Sequence, residues 1–348
     1  MKKIISLIVI LFTLISLVGC GDSIKNKIEI KETPAKLLEE NLIDYEDPNG
    51  CFTAKIPEGW SVSTAGYDML YWIRIYDPNN PDLQVFTLLK TECLLKDQKT
   101  KDFYESNRNL SLYTMFADMI VAGSVKEFYE NFMDFCSFMA TYESTYNGFD
   151  YPQISDLEVI EEYPLNSYLA NYAIEDSLLH VNFVDEWTQN KCDGMLTGTL
   201  CNGYEIYGLG LNMMYNINGI SAPYGQFGEY ESLLTTIISS IAYTDDFVST
   251  TITDSQIKAQ GAAALNQTLQ ETSNIITEGW NARQETYDII SEKWSDATLG
   301  YERVYDVETN EVYKVTSDFL EIDNVENYYK PITDEMYSLP ISGYIELK

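Results

Sequence analysis

The spacing of the apolar residues changes along the chain, and these changes limit the fold more than any other feature of the sequence. Residues 51–56, 71–76 and 83–89 form short alternating or apolar runs, which predict β-strands. Residues 125–143 carry apolar side chains at helical spacing, and a period of two returns from residue 154. Strands followed by helices and then by more strands predict an α+β fold, with an antiparallel sheet flanked by helices.

A tight turn supports the antiparallel prediction. Asn202-Gly203 separates the apolar runs 195–201 and 204–215, and both turn residues tolerate the positive φ of a type I′ hairpin. Parallel strands require a long crossover connection, so a hairpin here excludes a doubly wound parallel sheet.

The strand that precedes this hairpin has one apolar face. Leu179, Val181, Phe183 and Trp187 share that face, while His180 lies on the other. We therefore expect Trp187 to belong to the core and His180 to be a structural residue of the strand.

The last third of the chain changes character after a polar stretch at residues 244–253. A helical stripe over 230–241 ends a predicted sheet-and-helix sandwich domain, residues 46–247. Residues 253–348 form a predicted second region, in which a long helix with a break near Gly279 precedes a β-hairpin. The hairpin joins strands 301–307 and 311–315, with Asn310 as its left-handed residue.

The N-terminus has the features of an export signal. Lys2 and Lys3 precede the apolar run Ile4–Val18, whose 15 residues are fewer than a bilayer span of about 20 residues requires. Residues 1–19 are therefore predicted to be a signal peptide.

The end of this signal resembles the lipobox of bacterial lipoproteins, which are cut before a cysteine that carries a diacylglyceryl group. Leu17, Val18 and Gly19 form the predicted lipobox, and Cys20 is the predicted lipidation site. Residues 20–45 would then be the lipidated cysteine and a tether with a short helix, capped by Thr33 and beginning at Pro34. Two acyl chains hold a protein stably at a membrane, so we expect a cell-membrane protein on the extracytoplasmic face.

The charge of the chain limits its partners. It has 22 basic and 54 acidic residues and one His, and loss of the signal peptide would leave a net charge of −34. Such a surface repels nucleic acids and anionic lipid headgroups. The single His also excludes zinc sites built from two or three His residues.

Five cysteines would follow Cys20, and their spacing does not predict a complete disulfide framework. Because their number is odd, they cannot all pair within the chain, and none has CxxC spacing: Cys51, Cys93, Cys136, Cys192 and Cys201. Cys192 and Cys201 fall near opposite ends of one extended segment, about 27–30 Å apart at 3.3 Å per residue, so this pair is not expected to bond.

The chemical motifs are incomplete, and we predict no catalytic, cofactor or metal site. Ser255 and Lys258 have Ser-x-x-Lys spacing, but the companion motifs of those enzymes are missing. Acidic pairs such as Asp185-Glu186 and Glu161-Glu162 are expected by chance in so acidic a chain. Asp306 to Asn310 imitates the start of a calcium loop, but Glu311 replaces its required Gly.

Two stretches show a family resemblance. The segment 52–60, with Ile73-Arg74-Ile75 and Asp77-Pro78, is similar to the opening of the Mog1/PsbP-like domain. This resemblance implies a sheet sandwiched by helices over residues 46–247 and a role in protein interaction. Residues 280–283, 295–306 and 342–345 resemble the C-terminal region of uncharacterised cell-surface lipoproteins from clostridia-like bacteria.

Three functions remain open at this point. The first is a non-enzymatic, lipid-anchored module that binds a protein or a polymer such as a glycan. The second is a cell-surface glycan hydrolase, which would require a cleft holding two close carboxyls with raised pKa. The third is the solute-binding lipoprotein of a transporter, which would require two doubly wound lobes.

Overall fold

The computed structural model describes residues 28–32, 34–165, 167, 169–253, 255–283, 293, 296–297, 300–339 and 341–347. These residues form two compact units. The larger unit is Leu38–Ala282, and the smaller unit combines the described residues of 1–37 and 283–348.

Strands and helices alternate in groups along the chain. The α-helices are α1 (Pro34–Glu40), α2 (Gln98–Ser106), α3 (Thr114–Asp118), α4 (Val125–Glu130), α5 (Phe132–Tyr142), α6 (Phe227–Ser240) and α7 (Ser255–Arg283). The strands are β1 (Ile28–Glu32), β2 (Leu42–Glu46), β3 (Phe52–Pro57), β4 (Ser61–Ala65), β5 (Trp72–Asp77), β6 (Asn80–Leu95), β7 (Ile120–Val121), β8 (Ser155–Pro164), β9 (Ala173–Val184), β10 (Lys191–Ile206), β11 (Leu209–Pro223), β12 (Ala242–Tyr243), β13 (Tyr301–Asp306), β14 (Val312–Thr316), β15 (Tyr329–Pro331) and β16 (Ile341–Leu347).

The main sheet of the larger unit is antiparallel, which confirms the α+β prediction. Its strand order is β4-β5-β6-β11-β10-β9-β8, and short β7 pairs in parallel with β6. A second antiparallel sheet has the order β12-β3-β2. Helix α6 packs against β3, β6 and β11, and its apolar stripe is buried as the sequence predicts.

An aromatic core lies between the main sheet and helices α4 and α5. The ring of Trp72 is within 6.2 Å of the rings of Phe86, Phe132, Phe149 and Tyr151, measured between centroids. The predicted helical stripe over 125–143 is confirmed, but the helix divides at Asn131. The division lies at Asn131, whose φ of −105° and ψ of 20° depart from helical values, and its side-chain amide donates to the carbonyl of Glu127.

The predicted hairpin forms, but its turn lies farther along than Asn202-Gly203. Strand β10 continues to Ile206, and the chain turns at Tyr207 and Gly208, which both have positive φ. Asn202 and Gly203 occupy an irregularity in the ladder, which resumes at Glu205 paired with Gly210. A Cβ at Gly203 would lie 2.5 Å from the carbonyl oxygen of Leu211, so this glycine permits close strand approach and not the turn.

The expectation of a buried Trp187 is wrong. Leu179, Val181 and Phe183 are buried on β9 as predicted, but the strand ends at Val184 and Trp187 is 54% exposed. The cause is Asp185, whose carboxylate accepts the backbone N–H groups of Trp187 and Thr188 and thereby replaces the strand ladder with a turn.

The long helix α7 bends at a different glycine from the one expected. Gly261 has φ 76° and ψ 173°, a conformation that side chains disfavour, whereas the helix continues through Gly279 to Arg283. The prediction of a break near Gly279 is therefore wrong within the described residues.

The smaller unit has its own sheet, with the order β1-β16-β14-β13-β15. The predicted β13–β14 hairpin is confirmed, and Asn310 adopts φ 62°. Asp296 is buried, with oxygens 2.7 Å from Arg303 Nε and 3.3 Å from Lys314 Nζ. Strand β1, which falls in the predicted tether, pairs with β16, and α1 begins at Pro34 as predicted.

Gly219 tests the packing of the main sheet. A Cβ at Gly219 would lie 2.2 Å from Phe86 Cζ and 2.8 Å from Leu196 Cδ2, both in the core. We expect Gly219→Ala to lower the free energy of unfolding by about 1–3 kcal/mol because the core is overpacked, as measured by urea denaturation. Gly123→Ala is the milder control, since its Cβ would lie 3.2 Å from Glu127 Oε2 and 3.6 Å from the carbonyl oxygen of Lys96, without a contact below 3.0 Å. Equal losses in the two variants would contradict this packing.

Candidate functional site

The predicted lipidation signal lies outside the described residues. This applies to Cys20 and to Leu17, Val18 and Gly19, and also to the capping residue Thr33. Within the residues that the structure describes, no helix combines the length and apolar character needed to cross a membrane.

The structure separates the residues that the sequence singles out for catalysis. His180 is buried on β9, and the Asp185 carboxylate holds a turn. Asp288, Glu292 and Asp296 form another acidic set, at steps of four residues. Asp296 pairs with Arg303 and Lys314, and Asp288 and Glu292 lie outside the described residues. Among the described acids, Asp185 and Asp296 hold structural contacts and do not lie as a glycosidase pair.

The resemblance of residues 306–310 to a calcium loop has a structural explanation. The Asp306 carboxylate accepts the N–H groups of Glu308 and Thr309, which builds the hairpin turn. Among the described residues, no group of three or more His, Cys, Asp or Glu side chains is placed to hold a metal ion.

Cys51, Cys136, Cys192 and Cys201 are free thiols, and burial raises the pKa of each of them. Cys192 and Cys201 lie on one strand, β10, as predicted. Burial raises the pKa of Cys201 to about 11 and raises the pKa of Cys136 well above its ordinary value. Because the thiolate is the nucleophile, neither group is suited to catalysis at neutral pH.

A candidate site within the described residues is an open polar cleft of about 500 Å³ in the larger unit. It lies between α2, α3, β7, α4 and α5. Its lining combines acids, amides and hydroxyls over a small apolar floor: Gln98, Lys101, Asp118, Ile120, Val121, Glu127, Asn131, Asp134, Ser137, Phe138, Thr141 and Tyr142. Sequence reasoning missed this site because its residues come from separate segments.

Helix α5 supplies one wall of the cleft through its amphipathic pattern. Phe132, Phe135 and Met139 face the core and are almost fully buried. Asp134, Ser137 and Thr141 follow at spacings of three and four residues, so they share the opposite face and line the cleft. This polar stripe is the sequence signal that could have indicated that α5 lines a site. It could not have indicated which other elements line the cleft.

A network of hydrogen bonds fixes the floor and the rim. The Lys101 ammonium donates to the carbonyl oxygens of Ala117 and Met119, at 2.7 and 2.8 Å. Asp118 accepts the hydroxyl of Tyr142 and forms an ion pair with Arg108. These contacts join α2, α3 and α5 around the cleft before any ligand enters.

A second acid of the cleft, Glu127, stabilises the N-terminus of α4. The Ser124 hydroxyl accepts the N–H of Glu127 at 3.0 Å, and the Glu127 carboxylate accepts the N–H of Gly123 at 2.6 Å. This arrangement is close to a capping box. The carboxylate is therefore held at the cleft wall by backbone contacts.

The electrostatics around Asp118 argue against its use as a general acid. The hydroxyl of Tyr142 and, next, the guanidinium of Arg108 lower the pKa of the Asp118 carboxyl, although partial burial opposes them. A glycosidase acid requires a raised pKa so that it carries a proton at neutral pH. Asp118 has the opposite shift and stays ionised.

Comparison with known proteins does not add an activity to this geometry. No protein-family model matches the chain, and no curated protein matches it either.

The hydrogen bond between Tyr142 and Asp118 can be tested by titration. In Tyr142→Phe the carboxylate loses its main stabilising donor, so we expect the pKa of Asp118 to rise toward its ordinary value. The wild-type contribution is present above the unfolded pKa and is lost as pH falls through the lowered folded pKa. The variant should therefore lose more thermal stability near about pH 7 than near about pH 2.

The measurements are a carboxyl NMR titration of Asp118 and melting curves at the two pH values. Tyr172→Phe is the matched control, because Tyr172 is an exposed tyrosine that does not line the cleft. An unchanged Asp118 titration in Tyr142→Phe would show that this bond does not set its pKa.

Proposed function

We propose that this protein is a non-enzymatic, lipid-anchored extracytoplasmic lipoprotein that binds a cationic segment of a partner protein in the polar cleft. In this proposal residues 1–19 are the signal peptide, Cys20 carries the diacylglyceryl anchor, and residues 46–247 form a Mog1/PsbP-like domain. The observation that carries the proposal is a polar cleft lined by three acids, Asp118, Glu127 and Asp134, and by one lysine, Lys101.

The charges favour a cationic partner. Three acids, Asp118, Glu127 and Asp134, line the cleft with one lysine, Lys101. Asp118 is paired with Arg108, so Asp134 on the outer face of α5 is the acid best placed to meet a cationic partner. The mature chain would carry a net charge of −34, which steers basic partners toward it and repels acidic ones.

The two alternatives fit less well. The glycan hydrolase requires a carboxyl with raised pKa in the cleft, whereas the pKa of Asp118 is lowered. The solute-binding lipoprotein requires two doubly wound lobes, whereas the main sheet of the larger unit is antiparallel.

The anchor is tested by Cys20→Ser in cells of the source type. We expect wild-type protein to partition into detergent with a diacylglyceryl group on Cys20, because two acyl chains give stable membrane attachment. Cys20→Ser should be unlipidated and should leave the detergent phase or remain as the uncleaved precursor, as measured by phase partition and intact mass. Cys51→Ser, which alters a partly exposed thiol of the folded unit, should behave as wild type. Identical processing of the wild type and Cys20→Ser would contradict the anchor.

The cleft is tested with a fluorescent oligolysine peptide and Asp134→Lys. Asp134 is an exposed acid of the cleft wall, and an exposed ion pair contributes about 0.2–1 kcal/mol. Because the variant also adds a repulsive charge, we expect Kd to rise by about 5-fold or more at low ionic strength, as measured by fluorescence anisotropy. Asp245→Lys makes the same change of net charge at an exposed position outside the cleft and should have a smaller effect. Equal effects would show general charge attraction and contradict a cleft site.

A further inference from the structure

The hydroxyl groups that line the polar cleft have already spent their protons inside the protein. Each hydroxyl has a single proton to donate. The Ser137 hydroxyl donates to the carbonyl of Met133, and the Thr141 hydroxyl donates to the carbonyl of Ser137, both at 2.8 Å. The Tyr142 hydroxyl donates to the Asp118 carboxylate. These three side chains therefore meet a ligand as hydrogen-bond acceptors.

The nitrogen donors that line the cleft are also directed into the protein. The Lys101 ammonium donates to two backbone carbonyls, at 2.7 and 2.8 Å. The Asn131 amide donates to a backbone carbonyl of α4 at 2.9 Å, and the Gln98 amide donates to the Asp102 carboxylate at 2.7 Å. Because each amide keeps only one further N–H, the cleft offers few donors to a ligand.

Acceptors, in contrast, are in excess along the cleft. The carboxylates of Asp118, Glu127 and Asp134 line it, and an ionised carboxylate only accepts. The exposed oxygens of Ser137 and Thr141 keep lone pairs after their protons are donated. They lie on the same face of α5 as Asp134, so this wall presents one carboxylate and two hydroxyl acceptors in a row.

Two aromatic rings lie beside these acceptors. Phe138 and Tyr142 both line the cleft, and their ring centroids are 4.8 Å apart. Phe138 is almost fully buried, whereas Tyr142 is 39% exposed. The exposed ring gives a planar cation a surface on which to stack.

From these observations we propose that the cleft holds the guanidinium of a partner's arginine in preference to the ammonium of a lysine. This inference rests on the proposed function, because it names the chemistry that the same cleft recognises. A guanidinium has five N–H donors in one plane and no acceptor, whereas an ammonium has three donors around a point charge. The planar group can bond to several acceptors of the wall at once and stack on Tyr142. It is also more weakly hydrated, so it loses less when it leaves water.

Ligands of other chemistry match this cleft less well. A phosphate or carboxylate ligand requires donors, whereas the cleft directs most of its donors into the protein and would oppose the ligand with three acids. A sugar hydroxyl is neutral and would leave the exposed carboxylate of Asp134 without a counter-charge. A donor-rich cation satisfies both the acceptors and the charge.

The test compares fluorescein-labelled hexaarginine and hexalysine, which have the same length and charge. Binding to the full-length protein in non-ionic detergent is measured by fluorescence anisotropy at about 0.15 M salt, where distant charges are screened. We expect wild-type protein to bind hexaarginine about fivefold or more tightly than hexalysine. Ser137→Ala combined with Thr141→Val removes two acceptors without changing the charge, so this cleft variant should reduce the preference to about twofold or less.

Ser249→Ala combined with Thr250→Val is the matched control. Both hydroxyls are exposed and lie outside the cleft, and both donate to the carbonyl of Asp246, as the cleft hydroxyls donate within α5. The control variant should keep the wild-type preference to within about twofold, because surface substitutions of this kind have small effects. All four substitutions are at exposed side chains, and near-UV circular dichroism verifies that each variant is folded.

Equal affinities of wild-type protein for the two peptides would overturn the proposal. A preference that is unchanged in the cleft variant would also overturn it, since the preference would then come from the peptides. The same holds if the control variant loses the preference equally. In each case the cleft remains the binding site if Asp134→Lys weakens hexalysine binding more than Asp245→Lys does. Equal effects of these two substitutions on both peptides would instead overturn the cleft as the binding site.

Discussion

The buried guanidinium of Arg74 joins parts of the larger unit that are distant in sequence. It reaches from β5 to Gln84 on β6, to the carbonyls of residues 150 and 151, and to the ring of Trp187. A buried guanidinium requires acceptors, and because Nε and Nη1 donate to two other segments, the position of Arg74 constrains those segments together. The segment that ends at Tyr151 leads away from α5, and the 185–190 turn joins β9 to β10. One interaction therefore connects the helix that lines the cleft with the turn that carries Trp187.

The aromatic core gives this arrangement its rigidity. Trp72 contacts Phe132 of α5 and Tyr151, the residue whose carbonyl accepts Arg74. Close-packed rings resist displacement, so α5 cannot move without disturbing the segment around Arg74. The polar side chains of α5 lie on its outer side and line the cleft.

The sequence pattern predicted the features of the fold that depend on neighbouring residues. The apolar stripes of α5 and α6, the antiparallel strands and the left-handed Asn310 all followed from the sequence, because period and turn chemistry are properties of neighbouring residues. Trp187 was misplaced because Asp185 ends the strand through side-chain bonds that an apolar alternation cannot reveal. Asp185 followed by the polar run 188–190 was the available signal for a turn.

Asn202-Gly203 does not form the turn, because these two residues lie at an irregularity within the β10–β11 ladder. The cleft and the partners of Arg74 come from distant segments, so no local signal could assemble them.

The central claim is that buried charges hold the 185–190 turn and the segments around Arg74 in place before any ligand arrives. The most direct measurement is native-state hydrogen exchange at the amides of Trp187 and Thr188, which donate to the buried carboxylate of Asp185. The account predicts that both amides exchange at least about 100-fold more slowly than unstructured amides, although the turn lies at the surface. Exchange of both amides at the unstructured rate would mean that the turn is not held by Asp185, and would contradict the account.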